Sequence, residues 1–158
     1  MNEFSAKKLG ELLAFAKEGN NTIEKTKKVF SEFLSEDDLQ ETLKSSVGHI
    51  DAINAYAIEK KVVDIVEAES EKTAKKIVSM RDIYIESEWD THSEVFEWWG
   101  FFGGGAIAHW NLMKGVAESL EDDGLVQLCY NAIAYHENLY DTTSSILAEI
   151  GRKNSKEA

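Results

Sequence analysis

The residues of this chain whose type and spacing could do chemistry are its four histidines, His49, His92, His109 and His136. Neutral imidazoles gathered in an apolar shell suit Zn, Cu, Fe or Ni, and two that face each other can ligate a haem. Glu88 stands four residues before His92, where it can be a further ligand or orient the imidazole. Tyr140 follows His136 by one turn. The spacing therefore defines a metal set of His49, Glu88, His92, His109 and His136, and a cofactor set of His92, His109, His136 and Tyr140. A bundle carrying such a layer would serve sensing, storage or redox chemistry with a transition metal (Fe, Zn or Cu), or with haem as the alternative.

Whether these residues meet depends on the helices that carry them. The chain has no proline and only ten glycines, which favours long uninterrupted helices. Apolar positions recur at helical spacing throughout, and no strand pattern competes. Residues 3–18 and 22–34 read as two short helices around Gly19-Asn20-Asn21, a helical hairpin appended to the main body. Ser35 reads as an N-cap, with Glu36, Asp37 and Asp38 in the first turn complementing the helix dipole. Four main helices follow, at 36–69, 71–99, 104–121 and 124–151, with a turn near Ser70, a glycine corner at 100–105 (GFFGGG), an acidic turn at 121–124 and a polar tail at 152–158. The expectation is a single all-α domain over 1–158: a hairpin over 1–35, then an antiparallel up-down-up-down four-helix bundle over 36–151.

In an antiparallel pair, residues equally far from the turn share a height. His92 lies nine residues before a corner at 101 and His109 eight after it. His109 and His136 lie equally far from the turn at 122–123, and His49 and His92 from a turn at 70. On this arrangement all four histidines sit at one level. His136 also falls on the apolar stripe Cys129, Ala132, Leu139 and Thr143, so it points inward, whereas His49 lies nearer the edge of its stripe.

The formal net charge of −12 argues against nucleic acid and against an anionic membrane surface, both of which need clustered Lys and Arg. The acids concentrate over residues 36–100, with sixteen against seven basic residues. The run Asp82, Glu86, Glu88, Asp90, Glu94 and Glu97 is a solvated face or a docking surface for a basic protein partner, and a homo-oligomer is the other partner expected. Cys129 is the single cysteine and reads as an inert core thiol in a reducing compartment. With no signal-peptide pattern at the N-terminus and no spanning apolar run, the expected location is cytoplasmic.

Residues 117–150 (AESLEDDGLVQLCYNAIAYHENLYDTTSSILAEI) resemble the last helix pair of ferritin-like four-helix-bundle stress proteins. They comprise a helix ending in leucine, a short acidic turn, then a helix with a mid-helix acid and a trailing Leu-Ala-Glu. The resemblance covers about a fifth to a quarter of the chain and implies a ferritin-like bundle. Ferritin-like di-iron proteins carry Glu-x-x-His on two helices. Here the residues three before His49, His92, His109 and His136 are Ser46, Trp89, Ala106 and Ile133, so the resemblance implies the fold and not the di-iron chemistry. The competing reading is a non-catalytic helical interaction or adaptor protein. Its contact surface would be the aromatic corner of Trp98, Trp99, Phe101 and Phe102, or the N-terminal hairpin. A weaker third reading is an apolar-ligand pocket lined by that aromatic cluster.

Overall fold

Burial of apolar stripes at three- and four-residue spacing makes helices the only regular elements among the described residues. The computed structural model describes residues 1–156. Among them the regular elements are α1 (Glu3–Lys25), α2 (Lys27–Phe30), α3 (Glu36–Glu59), α4 (Val63–Ile85), α5 (His92–Ser119) and α6 (Asp123–Asn154). The all-α class stands, and so do the Ser35 cap, whose hydroxyl accepts from the Asp38 amide at 3.1 Å, and the acidic turn before α6. The expected polar tail at 152–158 begins as the last helical residues of α6, and its end at 157–158 lies outside the described residues.

Three boundaries differ from expectation, and together they change the architecture. The first is the N-terminal hairpin, which is absent. Helix α1 starts at an Asn2 cap, whose side-chain oxygen accepts from the Ser5 amide at 2.9 Å, and it runs straight through Gly19-Asn20-Asn21. Its buried face continues without a break through Leu9, Leu12, Leu13, Ala16, Gly19, Thr22 and Ile23. Gly19 belongs to that face because a Cβ there would stand 3.1 Å from the Phe102 ring of α5. Helix α1 packs against α3, α4 and α5, so it is a central element rather than an appendage.

The second difference is the turn expected near Ser70, which lies ten residues earlier, at 60–62. It is closed by a Schellman cap: the Val62 amide donates to the Ala57 carbonyl at 3.0 Å and the Lys61 amide to Ile58 at 3.1 Å. Lys61 takes the left-handed conformation that usually selects glycine, at φ 56°. The turn between α5 and α6 repeats this cap, with Asp122 bonded to Ala117, Glu121 to Glu118 and Glu121 at φ 52°. The two turns lie side by side. Asp122 accepts from the Tyr56 hydroxyl at 2.8 Å, pairs with Lys60 at 3.0 Å and caps α6 through the Leu125 amide at 3.0 Å. That amide first, and then Tyr56, hold its carboxyl below the usual range.

The third difference concerns the glycine corner, which is not a corner. Helix α5 passes through residues 100–105 as one element of 28 residues. A glycine in a helix interior costs about 1 kcal/mol relative to alanine. Each fully buried large apolar side chain returns about 1.5–3 kcal/mol. Phe96, Trp99, Phe102, Trp110 and Met113 are all buried on α5, so burial outweighs the local preference. The break falls instead at 86–91, where Glu86 has φ 49°. Trp89 in that segment is flanked by the Arg81 guanidinium at 5.1 Å and the Lys25 ammonium at 5.0 Å. Arg81 is itself buried and paired with Asp82 at 3.0 Å and Glu18 at 3.6 Å, which fixes the entry to α5 against α1.

The contacts set the directions. Gly10 of α1 lies against Val66 and Glu69 of α4, and Glu18 meets Arg81, so α1 and α4 run parallel. Glu11 faces His109 and Phe15 faces Phe102, so α1 and α5 are antiparallel. Helix α6 packs along α5 and touches α3. Two apolar cores stack along the axis. One, around Leu12, Trp110 and Met113, lies toward the Tyr56–Asp122 end. The other, around Phe30, Phe96 and Trp99, fills the opposite half.

Candidate functional site

With α5 continuous, His92 and His109 share one helix, 17 residues apart by number, which separates them by about 25 Å along its axis. The single histidine layer is therefore not formed. Among the described residues no three His, Cys, Asp or Glu side chains converge to hold an ion. The histidines instead occupy three separate environments.

His92 is the first residue of α5. Its Nε2 is 3.1 Å from Glu32, and its ring stands edge-on to Phe33 at 5.2 Å. The ion pair is partly exposed on both sides, and Phe33 is half-buried against the core. Glu88 does not share a helix face with it: Glu88 lies in the 86–91 connection, exposed, and accepts from the Thr91 hydroxyl at 2.7 Å. His109 packs on Phe15 at 4.7 Å. Its Nδ1 bonds the Gly105 carbonyl at 2.8 Å, and Nε2 lies 3.6 Å from Glu11. Its height on α5 matches that of His136 on α6, as the acidic turn requires, but its side chain faces α1 rather than α6. Tyr140 is 41% exposed, with its ring 3.5 Å from where a Cβ on Gly103 would sit.

The remaining two come together. His49 of α3 and His136 of α6 have ring centres 6.2 Å apart and planes within 28°. The shared height follows from the paired turns. From the turn centres at 61 and 121, His49 lies about 12 residues back and His136 about 15 on, roughly three and four helical turns, so the two stand within about 5 Å of each other along the axis, and Tyr56, Lys60 and Asp122 hold those turns together. The inward direction of His136 follows from its stripe, in which Ala132, His136, Leu139 and Thr143 are all buried.

The surroundings of this pair are aromatic. Tyr135 stands edge-on to both imidazoles, at 5.0 and 4.9 Å. Trp110 lies 6.0 Å from His49 and Phe102 lies 6.5 Å from His136. His136 is 5% exposed, and its Nδ1 is buried without a hydrogen-bond partner. A sealed, unpaired polar nitrogen costs about 1–3 kcal/mol. The other buried polar atoms in that position are Asn20 Oδ1 and the Trp98 and Trp99 indole nitrogens, and an indole N–H only donates. Burial, and then the neighbouring charge of His49, push the His136 pKa down to about 3. Burial lowers His49 as well. Both rings are therefore neutral near pH 7 and keep a lone pair for a metal.

Outside the pair, between α3 and α6, lies a groove of about 370 Å³ lined by Thr42, Ser45, Tyr135 and Asn138 among others. Tyr135 is the wall between this groove and the two imidazoles, and its hydroxyl donates to the Thr42 carbonyl at 3.3 Å. Sequence reasoning missed Tyr135, Trp110, Glu11 and Glu32 as neighbours of histidines. Only Tyr135 carried a local signal, its adjacency to His136. Cys129, as expected, is buried, and burial raises its thiol to about 12.

No protein-family model, curated protein or solved structure matches this chain. No described helix is long and apolar enough to cross a membrane.

Proposed function

We propose that this protein is a metal-binding helical bundle whose ion is held by His49 and His136 between α3 and α6. The observation that carries this reading is the buried, unpartnered Nδ1 of His136 beside a second imidazole. A bound cation satisfies that nitrogen, and without one the sealed atom is an uncompensated cost. The close aromatic walls favour a bare ion over a porphyrin, which needs a wide flat slot between two facing imidazoles. One two-donor site per chain suits sensing or delivery better than bulk storage. The α5–α6 hairpin is the part that supports a ferritin-like relation, now with α1 and α3 rather than α4 as its partners across the bundle.

The test is equilibrium dialysis of the purified, metal-stripped protein against a panel of Cu, Zn, Ni and Fe ions, followed by elemental analysis. One bound equivalent in the wild type and none in His136→Leu is expected. Absence of every metal ends the proposal.

A second reading is favoured by one surface feature. Met80, Ile83 and Phe101 are 61%, 76% and 64% exposed, and Tyr84 packs against Phe101 at 5.2 Å. Asp82, Glu86, Glu94 and Glu97 belong to the same α4–α5 region. An apolar patch rimmed by acids fits a basic, apolar protein segment. Of the aromatic group Trp98, Trp99, Phe101 and Phe102, only Phe101 belongs to this surface, since the other three are buried. Cross-linking of wild type and an Ile83→Asp variant to basic amphipathic peptides tests it, and equal capture by both discards it.

A further inference from the structure

Building on the reading of His49 and His136 as a metal site, we propose that the pair is a two-coordinate seat for one monovalent soft cation, Cu(I), and not for a divalent ion. The spacing fits such a seat. Two metal–nitrogen bonds of about 2 Å each, with the short step from each nitrogen to its ring centre, span about 6 Å. The ring centres are 6.2 Å apart, with planes 28° from parallel, a separation that admits one ion between a nitrogen of each ring. A closed-shell monovalent ion accepts this linear pair as a complete coordination sphere. Zn(II), Ni(II) and Fe(II) want four donors or more, and among the described residues no third His, Cys, Asp or Glu converges here.

The nearest alternative donors are committed or out of reach. The Tyr135 hydroxyl is bonded to Thr42. Cys129 is seven residues before His136 on α6, about 10 Å along the axis.

Charge points the same way. The side chains adjoining the pair, Tyr135, Trp110 and Phe102, include no carboxylate. The desolvation cost of a buried ion grows with the square of its charge, so a divalent ion without a carboxylate suffers far more than a monovalent one.

The decisive experiment is an anaerobic titration with Cu(I), and in parallel with redox-inert Ag(I), against a competing chelator. Zn(II) and Ni(II) are titrated separately. One equivalent of Cu(I) or Ag(I) is expected, with quenching of tryptophan fluorescence through Trp110 and an X-ray absorption spectrum of two nitrogen neighbours. Zn(II) is expected to bind about 100-fold more weakly or worse. His49→Leu and His136→Leu each lose the site, whereas Cys129→Ala keeps it. Because a leucine variant that fails to fold would also lose the ion, the ring proton and nitrogen shifts of His49 and His136 are followed in the wild type during the Ag(I) titration. Shifts in both at one equivalent support the seat. Tighter Zn(II) or Ni(II) than Cu(I), dependent on His136, overturns the monovalent assignment and leaves the metal reading intact. Cu(I) binding that survives in His136→Leu and vanishes in Cys129→Ala moves the ion to the thiol and overturns the site. No binding of any ion overturns both.

Discussion

Replacing Gly100 and Gly104 together by alanine tests the continuity of α5, on which the separation of His92 from His109 depends. A Cβ at either position meets nothing within 4 Å, so the substitution adds no clash. In a helix interior, alanine is favoured over glycine by about 0.5–1 kcal/mol per site, which gives about 1–2 kcal/mol for the pair. For a chain of this length that raises Tm by about 4 °C. Gly10→Ala is the counterpart. There a Cβ would sit 2.6 Å from the Val66 carbonyl oxygen and 2.9 Å from the Glu69 Cβ, both on the facing helix α4. Backbone cannot swing aside as a side chain can. Overpacking of about 3 kcal/mol then exceeds the same propensity gain, leaving a loss of about 2 kcal/mol and a drop in Tm of about 6 °C. Thermal and urea unfolding followed by far-ultraviolet circular dichroism reads both. If the double variant is less stable than wild type, the chain bends at 100–105 and needs its glycines. His92 and His109 would then be back across a corner from each other. If Gly10→Ala is neutral, α1 and α4 do not approach through Gly10.

In chelated protein, His136 makes stability fall with acid. Folded it stays neutral down to about pH 3, because burial and then His49 oppose the proton, whereas unfolded it protonates near 6.5. Its contribution is full above pH 6.5 and declines toward pH 3 by about 1.4 kcal/mol per unit. His136→Leu should lack that slope, narrowing its gap to wild type by about 2 kcal/mol at pH 5 in urea melts; parallel pH profiles would refute it. Lys61→Gly and Glu121→Gly relieve left-handed residues at φ 56° and 52° and should each gain about 1 kcal/mol in the same melts, additively, while a loss would mean that the turns are not the Schellman caps described. Tyr56→Phe removes the hydrogen bond to Asp122 that ties the two turns together. About 1 kcal/mol of lost stability is expected in urea unfolding, together with weaker ion binding at the His49–His136 pair, and unchanged binding would show that the turns do not set the pair's register.

What was legible in the sequence, and what was not, follows one physical division. Features set by local chemistry were readable: Ser35 and its three acids make a helix start anywhere, and the acidic turn at 121–124 places α5 beside α6. The inward face of His136 was readable too, because Ala132, Leu139 and Thr143 repeat at its spacing. Features set by tertiary burial were misread wherever a glycine carried the local signal. Gly19 and Gly103–Gly105 look like breaks, yet each lies inside a helix where a neighbouring ring (Phe102, Tyr140 or Phe15) packs close, or where aromatic burial on both sides outweighs the local cost. The true breaks at 60–62 and 86–91 contain no glycine or proline at all; Lys61 and Glu86 take positive φ there because the helices they join are held by α1. That single error about α1 explains why the layer of four histidines dissolved. Taking α1 as an appendage left α4 to complete the bundle and set His92 inside it. With α1 in the bundle, α5 turns His109 toward Glu11 and Phe15, and the only imidazoles left facing each other are those of α3 and α6. The height argument therefore survives for His109 and His136 across the acidic turn, and the contacts of Tyr56 and Lys60 with Asp122 bring His49 to His136; it fails for His92, whose level rested on turns at 70 and 101 that the chain does not make.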